Sequence, residues 1–292
     1  MLHTRFSTPE DIPAQRELWK LAFGDEDPYI DNFYSTWYQP QRVIVLEEDG
    51  AVRAMTAWFD TEFTAPGSQP VRAAYIYALA THPNCRGRGL AKQLLADAGD
   101  LLKGLGFPLL TTVPAEPTLH NFFSDNGFIE CFINAEYEMN PEAAPFALPG
   151  VELKQVSVEE YDAARRELLA DCARIDYPAQ VLRYQEGCCA LSRGGLYVGC
   201  GPFGGKACIC VERTPDNLMI AKEFLGSHDA RMFVRSELAK LAPNLRWTVR
   251  CPVEYAPPGA KVKKFGMLRW LDPAAAELWD TDSTGYLGLA FD

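Results

Sequence analysis

The stretch from Ala74 to Leu102 constrains this chain more than any other. Ala74-Tyr75-Ile76-Tyr77-Ala78-Leu79-Ala80-Thr81 is an apolar run whose β-branched and aromatic residues suit a buried strand. His82-Pro83-Asn84-Cys85 supplies turn residues, Arg86-Gly87-Arg88-Gly89-Leu90-Ala91 follows, and Lys92 to Leu102 has apolar residues at helical spacing. The order is strand, glycine-rich turn, helix. Glycines where a helix starts allow close approach to its unpaired N–H groups. Those groups and the helix dipole form an anion site suited to a pyrophosphate. The expected ligand is a phosphorylated cofactor.

Spacing separates three motifs that share this logic. A P-loop needs Lys-Ser/Thr after its last glycine, where Leu90-Ala91 stands here, and a dinucleotide fold needs three glycines at its own spacing early in a βαβ unit. Neither fits. The order Arg-x-x-Gly-x-Ala, at Arg86, Gly89 and Ala91, resembles the acyl-CoA loop of the GNAT superfamily of N-acetyltransferases. A second segment agrees: a strand at Pro108 to Val113, then Pro114 through Asn126 to Gly127-Phe128, resembles that family's second motif with its Gly-Phe pair.

The chain of 292 residues exceeds one typical domain and can bury two modest cores. Its beginning has no apolar signal-peptide core, and no apolar stretch approaches the roughly 18 residues of a membrane span, so a cytoplasmic protein without a membrane partner is expected. Nine cysteines without paired CxxC spacing argue against a disulfide framework and against zinc, and four scattered histidines give no metal cluster. Cys188-Cys189 at a helix end and Cys208 and Cys210 in a strand read as small core hydrophobes. Residues 1–145 hold 10 Lys and Arg against 20 Asp and Glu, a net −10, which leaves −1 for the rest. Such acidity repels nucleic acid and attracts cations; it serves solubility alone or steers a cationic amine.

Along the chain the reading is a strand at Leu2 to Phe6, a helix start at Ser7-Thr8-Pro9, a second helix over Pro28 to Trp37, and strands at 42–47 and 52–61 joined by Asp49-Gly50. With the central stretch this gives β-α-α-β-β-β-α-β-α. That order is similar to the GNAT fold, an α/β (α+β) architecture with a mixed, mostly antiparallel sheet. The proline-rich Asn140 to Gly150 reads as a linker. The order then repeats: strand 151–156, helix 158–170 capped by Ser157, helix 179–186, strands 196–200, 206–211 and 218–224, helix 229–241 and strand 245–251. The second copy has Leu225-Gly226-Ser227-His228-Asp229 in place of the loop, so it is expected to be degenerate. The expected domains are residues 1–140, which bind acetyl-CoA, and residues 151–292. The plan resembles two-domain bacterial acetyltransferases like the enhanced-intracellular-survival group, an impression to which Trp19, Phe23-Gly24-Asp25 and Tyr75-Ile76-Tyr77 add.

The resemblance implies roles. Leu79, Ala80 and Thr81 would hold the pantetheine and thioester of acetyl-CoA, with Arg86, Gly87, Arg88, Gly89, Leu90, Ala91 and Lys92 around the pyrophosphate and Glu116 near the pantetheine arm. Acetyl transfer to a small amine needs a neutral nucleophile, a stabilised oxyanion and a departing thiolate. Many members of the family place an acid tyrosine four residues before the Gly of Gly-Phe; here Phe123 stands there and has no proton to give. Tyr75 and Tyr77, on one face of their strand, either supply a hydroxyl or only pack the sheet. In the two-domain relatives the terminal carboxylate can act as base, which would fall to Asp292 with Phe291 beside it in the acceptor cleft. The other reading of the tail is a last edge strand of the second domain. Two functions follow: an N-acetyltransferase, or a module that binds acyl-CoA without turnover.

Overall fold

The computed structural model describes residues 1–140, 150–201, 203–214, 216–243, 245–280 and 283–291. In chain order its first half contains β1 (Leu2–Phe6), α1 (Ile12–Phe23), α2 (Asp27–Thr36), β2 (Val43–Glu48), β3 (Ala51–Thr64), β4 (Val71–Thr81), α3 (Leu90–Gly104), β5 (Leu109–Thr112), α4 (Pro117–Ser124) and β6 (Ile129–Met139). The second half contains β7 (Glu152–Gln155), α5 (Val158–Leu168), β8 (Arg174–Asp176), α6 (Ala179–Leu191), β9 (Gly195–Cys200), β10 (Lys206–Arg213) and β11 (Met219–Gly226). It ends with α7 (His228–Leu241), β12 (Trp247–Cys251), β13 (Lys261–Trp270) and α8 (Pro273–Ala276). Most of the linker expected at 140–150 lies outside the described residues.

Local chemistry explains several boundaries. Asp49 and Gly50 both have positive φ, 52° and 80°, as the tight hairpin turn between β2 and β3 requires. Pro9 opens a single 3-10 turn, Pro9–Asp11, where a helix start was expected, and α1 begins only at Ile12. Ser157 caps α5 as expected: its Oγ accepts from the Glu160 N–H at 3.2 Å while the Glu160 carboxylate accepts from the Ser157 N–H at 3.0 Å.

Two compact units interleave along the chain. The first comprises Met1–Phe63, Gln69–Glu130 and Gly266–Ser283; the second comprises Thr64–Ser68, Cys131–Phe265 and Thr284–Asp292. In the first unit the strands run β1-β2-β3-β4-β5 and then the end of β13. Every pair is antiparallel except β4 with β5, and Met267 to Trp270 of β13 pair with Thr112 to Leu109. On one side α3 buries Leu90, Leu94, Leu95, Ala98 and Leu102 against Ala74, Ile76 and Leu110. On the other side Trp19, Phe33, Phe59 and Tyr77 form an aromatic cluster, with ring centroids 5.0–6.3 Å apart.

The second unit repeats the plan. β6 pairs antiparallel with β12, β12 parallel with β11, and β10, β9 and β7 continue antiparallel. α7 buries Val234 and Leu238 against Ile209, Ala221 and Trp247. Under α5 lies an ionic cluster: Arg165 and Glu223, both fully buried, meet at 2.9 Å, and the Tyr161 hydroxyl donates to Glu223 at 2.7 Å. The tail docks beside it. Arg165 donates to the Leu287 carbonyl, and the Tyr177 hydroxyl donates to the carbonyls of Leu287 and Leu289. Among the described residues the tail forms no edge strand; Gly285 and Tyr286 make isolated bridges to Phe132 and Arg174.

Candidate active site

β4 is distorted where the site was expected. Ala57 of β3 faces Tyr77 and Met55 faces Ala80, so Thr56 alone stands opposite Ala78 and Leu79. Two residues against one make a β-bulge, and Ala78 adopts φ 50° within it. A left-handed alanine costs about 1–3 kcal/mol, and strain of that size gathers at functional positions. On its other edge β4 pairs with β5 only from Ala73↔Leu109 to Tyr75↔Thr111, although β4 continues to Thr81. β5 itself ends at Thr112, whose Oγ1 donates to the Ile76 carbonyl, so the bulged residues of β4 lie beyond the end of the parallel pairing. Leu79, Ala80 and Thr81 follow Ala78, and the buried Thr81 Oγ1 has no hydrogen-bond partner.

The glycine-rich turn comes next. Gly87 and Gly89 have φ 74° and 79°, and a Cβ at either would meet nothing within 4 Å, so open space lies beside the loop. Gly89 is the residue before α3 and offers no capping side chain, which leaves the first N–H groups of α3 for a ligand. Arg86 is exposed and donates to the Thr81 carbonyl at 3.4 Å. Arg88 instead forms a bidentate pair with Glu48, at 2.5 and 3.0 Å, which holds the Glu48 carboxyl below its ordinary range. Leu90 turns into the core, Ala91 is half-buried and Lys92 is exposed. This arrangement fits a pyrophosphate by its donor set and by the room that the two glycines leave.

The second unit shows what closing such a loop involves. Ser227 caps α7, its Oγ accepting from the Ala230 N–H at 3.3 Å. A Cβ on Gly226 would lie 2.5 Å from the Lys206 carbonyl, and Arg231 spends its donors on the carbonyls of Gly226 and Tyr255. Its helix start is satisfied from within.

The other expected residues divide. Tyr75 is 2% exposed and packs on Phe59. Tyr77 is half-buried, and its hydroxyl lies 3.2 Å from that of Tyr29 in α2. Glu116 is exposed just before α4 and accepts from Thr118 at 3.5 Å. Phe123 is 5% exposed and stacks edge-on with Phe122 and Phe128 in the α3 core. Phe291 packs on Tyr177 and Tyr184 within the second unit, and Asp292 lies outside the described residues.

The sequence reading did not assign roles to Tyr29 or Asp25. Trp19 donates its indole N–H to Asp25 at 2.7 Å, and burial pushes the Asp25 carboxyl up. Asp25 lines a cleft of about 440 Å³ at the α1–α2 turn with Lys20, Gly24, Glu26, Asp27 and Pro28. Among the described residues there is no cluster of three metal-binding side chains, and no helix is long and apolar enough to cross a membrane.

Comparison with curated protein sequences gives no match. Three similar solved structures are a GCN5-related N-acetyltransferase from Kribbella flavida, Eis1 from Mycobacterium abscessus and a probable N-acyltransferase from Enterococcus faecalis V583. The Kribbella protein is 14% identical, with TM-score 0.71 over 94% of this chain and 73% of that one. Eis1 is 17% identical, with TM-score 0.68 over 94% and 75%. The Enterococcus protein is 14% identical, with TM-score 0.72 over 93% and 73%. At these identities the likeness is one of fold. Sequence adds to it, because residues 3–123 match the profile of the family described as Acetyltransferase (GNAT) domain. That match spans the bulged strand, the glycine-rich turn and nearly all of α4.

Proposed function

We propose that the first unit transfers the acetyl group of acetyl-CoA to a primary amine, and that the acceptor is a small cation. The observation that carries the reading is the Ala78 bulge in the part of β4 that extends beyond its pairing with β5, ahead of a glycine-rich turn with an open helix start. The N–H groups of Leu90, Ala91 and Lys92 hold the pyrophosphate, with the positive end of the α3 dipole behind them. The backbone of Leu79 to Thr81, beyond the pairing with β5, lines the pantetheine, and bulge N–H groups stabilise the oxyanion as the thioester carbonyl is attacked.

The ammonium acceptor gives up a proton to water, the neutral amine forms the C–N bond, the C–S bond breaks, the nitrogen releases its second proton to water, and the thiolate takes a proton. Phe123 cannot give it. Tyr77 is the better placed of the two strand tyrosines, because Tyr75 is buried whereas the Tyr77 hydroxyl meets that of Tyr29 at a half-buried position. Asp25 and Glu26 at the cleft of the α1–α2 turn favour a cationic acceptor, whereas Asp27 there already pairs with Arg16 and Lys20. One observation favours a second reading, acyl-CoA binding without turnover: the position of the family's acid tyrosine is held by Phe123, packed against the rings of Phe122 and Phe128.

Incubation with acetyl-CoA and a panel of polyamines, aminoglycosides and amino acids tests both. Amine-dependent release of CoA thiol is the expected result. Tight CoA binding with no release from any amine would favour the second reading.

A further inference from the structure

Two sulfur atoms of the second unit touch. Cys189 in α6 and Cys210 in β10 are free thiols with their Sγ atoms 3.6 Å apart, and both side chains are fully buried. Gln185, one turn before Cys189, directs its amide Nε2 to Cys189 Sγ at 3.3 Å and to Glu212 Oε1 at 2.5 Å. Cys189 is therefore the sulfur with a polar side chain held against it, and we assign it as the attacking partner. Burial pushes the Cys210 thiol well above its ordinary range. The other thiols nearby point elsewhere: Cys208 faces the Tyr161 carbonyl at 3.7 Å, and Cys188 is the neighbour of Cys189 on a helix, about 100° around its axis.

We propose that Cys189 and Cys210 are an oxidation site at which a peroxide closes a disulfide between α6 and β10. The Cys189 thiolate attacks the peroxide; the O–O bond breaks, a sulfenic acid forms and one water leaves with the thiol proton. Cys210 then attacks the sulfenic sulfur, the S–S bond forms, the S–O bond breaks and a second water leaves. In total two thiols lose two electrons and two protons, and hydrogen peroxide becomes two waters. The sulfurs already touch, so closure needs a shift of about 1.6 Å to the 2.0 Å of a disulfide bond. Burial makes the reaction slow, with its rate set by local opening of α6. The site is independent of the acetyl transfer proposed for the first unit.

The test uses the full-length protein treated with hydrogen peroxide, blocked with iodoacetamide after unfolding, and mapped by mass spectrometry without reduction. The expected product is two hydrogens lighter at one cross-link, which joins the peptide with Cys189 to the peptide with Cys210 and opens with dithiothreitol. Cys188→Ser and Cys208→Ser should keep the cross-link, whereas Cys189→Ser and Cys210→Ser should lose it. Cys210→Val serves the same purpose if the serine variant does not fold. Exposed Cys200 reports that the oxidant acted. Oxidised Cys200 with Cys189 and Cys210 still open to alkylation, even after refolding in a glutathione redox buffer, would overturn the proposal. So would a cross-link that survives Cys189→Ser or Cys210→Ser.

Discussion

At the residue scale, Gly89 separates backbone strain from ligand space. Its φ of 79° disfavours any side chain by about 1–2 kcal/mol, yet no atom lies within 4 Å of an added Cβ. Gly89→Ala and Gly89→Trp should therefore lower the melting temperature by similar small amounts. Only the tryptophan fills the space beside the α3 start, so calorimetry should find CoA binding abolished by Gly89→Trp and weakened less by Gly89→Ala. Equal affinity in Gly89→Trp and the native protein would remove the pyrophosphate from this loop. Phe123→Tyr adds a hydroxyl to an apolar cluster, which costs about 1–3 kcal/mol where no partner meets it. A lower melting temperature with a higher turnover number is expected. A clear fall in turnover would mean that the site already has another proton donor. The glycines were legible because positive φ restricts residue choice. Tyr29 was not, because it meets Tyr77 across 48 positions and belongs to no motif.

At the element scale, the sequence revealed elements whose signal is local. The hairpin at Asp49-Gly50, the Ser157 cap and the amphipathic α3 each depend on residues within a few positions of one another. β6 and β13 had no such signal. β13 begins Lys-Val-Lys-Lys, with its first four residues exposed, and only Gly266, Met267 and Leu268 are buried. Its place is set by tertiary pairing with β5. The tail read as two alternatives because an apolar sequence states that it docks, not where. Phe291 is 4% exposed between Tyr177 and Tyr184, so Phe291→Ala should cost about 3–5 kcal/mol and lower the melting temperature well beyond the effect of a surface change. Deleting Asp292 alone leaves that ring in place. If the Asp292 side-chain carboxylate is the base, this deletion should cut turnover at an unchanged melting temperature and CoA affinity; unchanged turnover would exclude it.

At the scale of the whole molecule, the two units exchange strands along the chain. The sequence division at residue 140 follows composition, yet the first unit takes Gly266–Ser283 from the far end of the chain, while Cys131 to Met139 belong to the second, where Ala135 to Met139 pair with β12. No periodicity reports such an exchange, because each strand carries the same pattern wherever it pairs. The consequence is physical. Without residues 266–283, β5 loses its β13 partner and keeps only β4, so Leu109 to Thr112, all buried, would end the sheet as an open edge. Phe63 would also lose its contacts with Trp270 and Trp279, whose centroids lie 6.1 and 5.0 Å away. A fragment of residues 1–140 should therefore aggregate or remain partly unfolded, although it contains the whole family match. Adding residues 266–283 as a separate peptide should restore dispersed amide resonances and CoA binding. A fragment of residues 1–140 that folds cooperatively and binds CoA as tightly as the full chain would show that β13 is dispensable to the first unit.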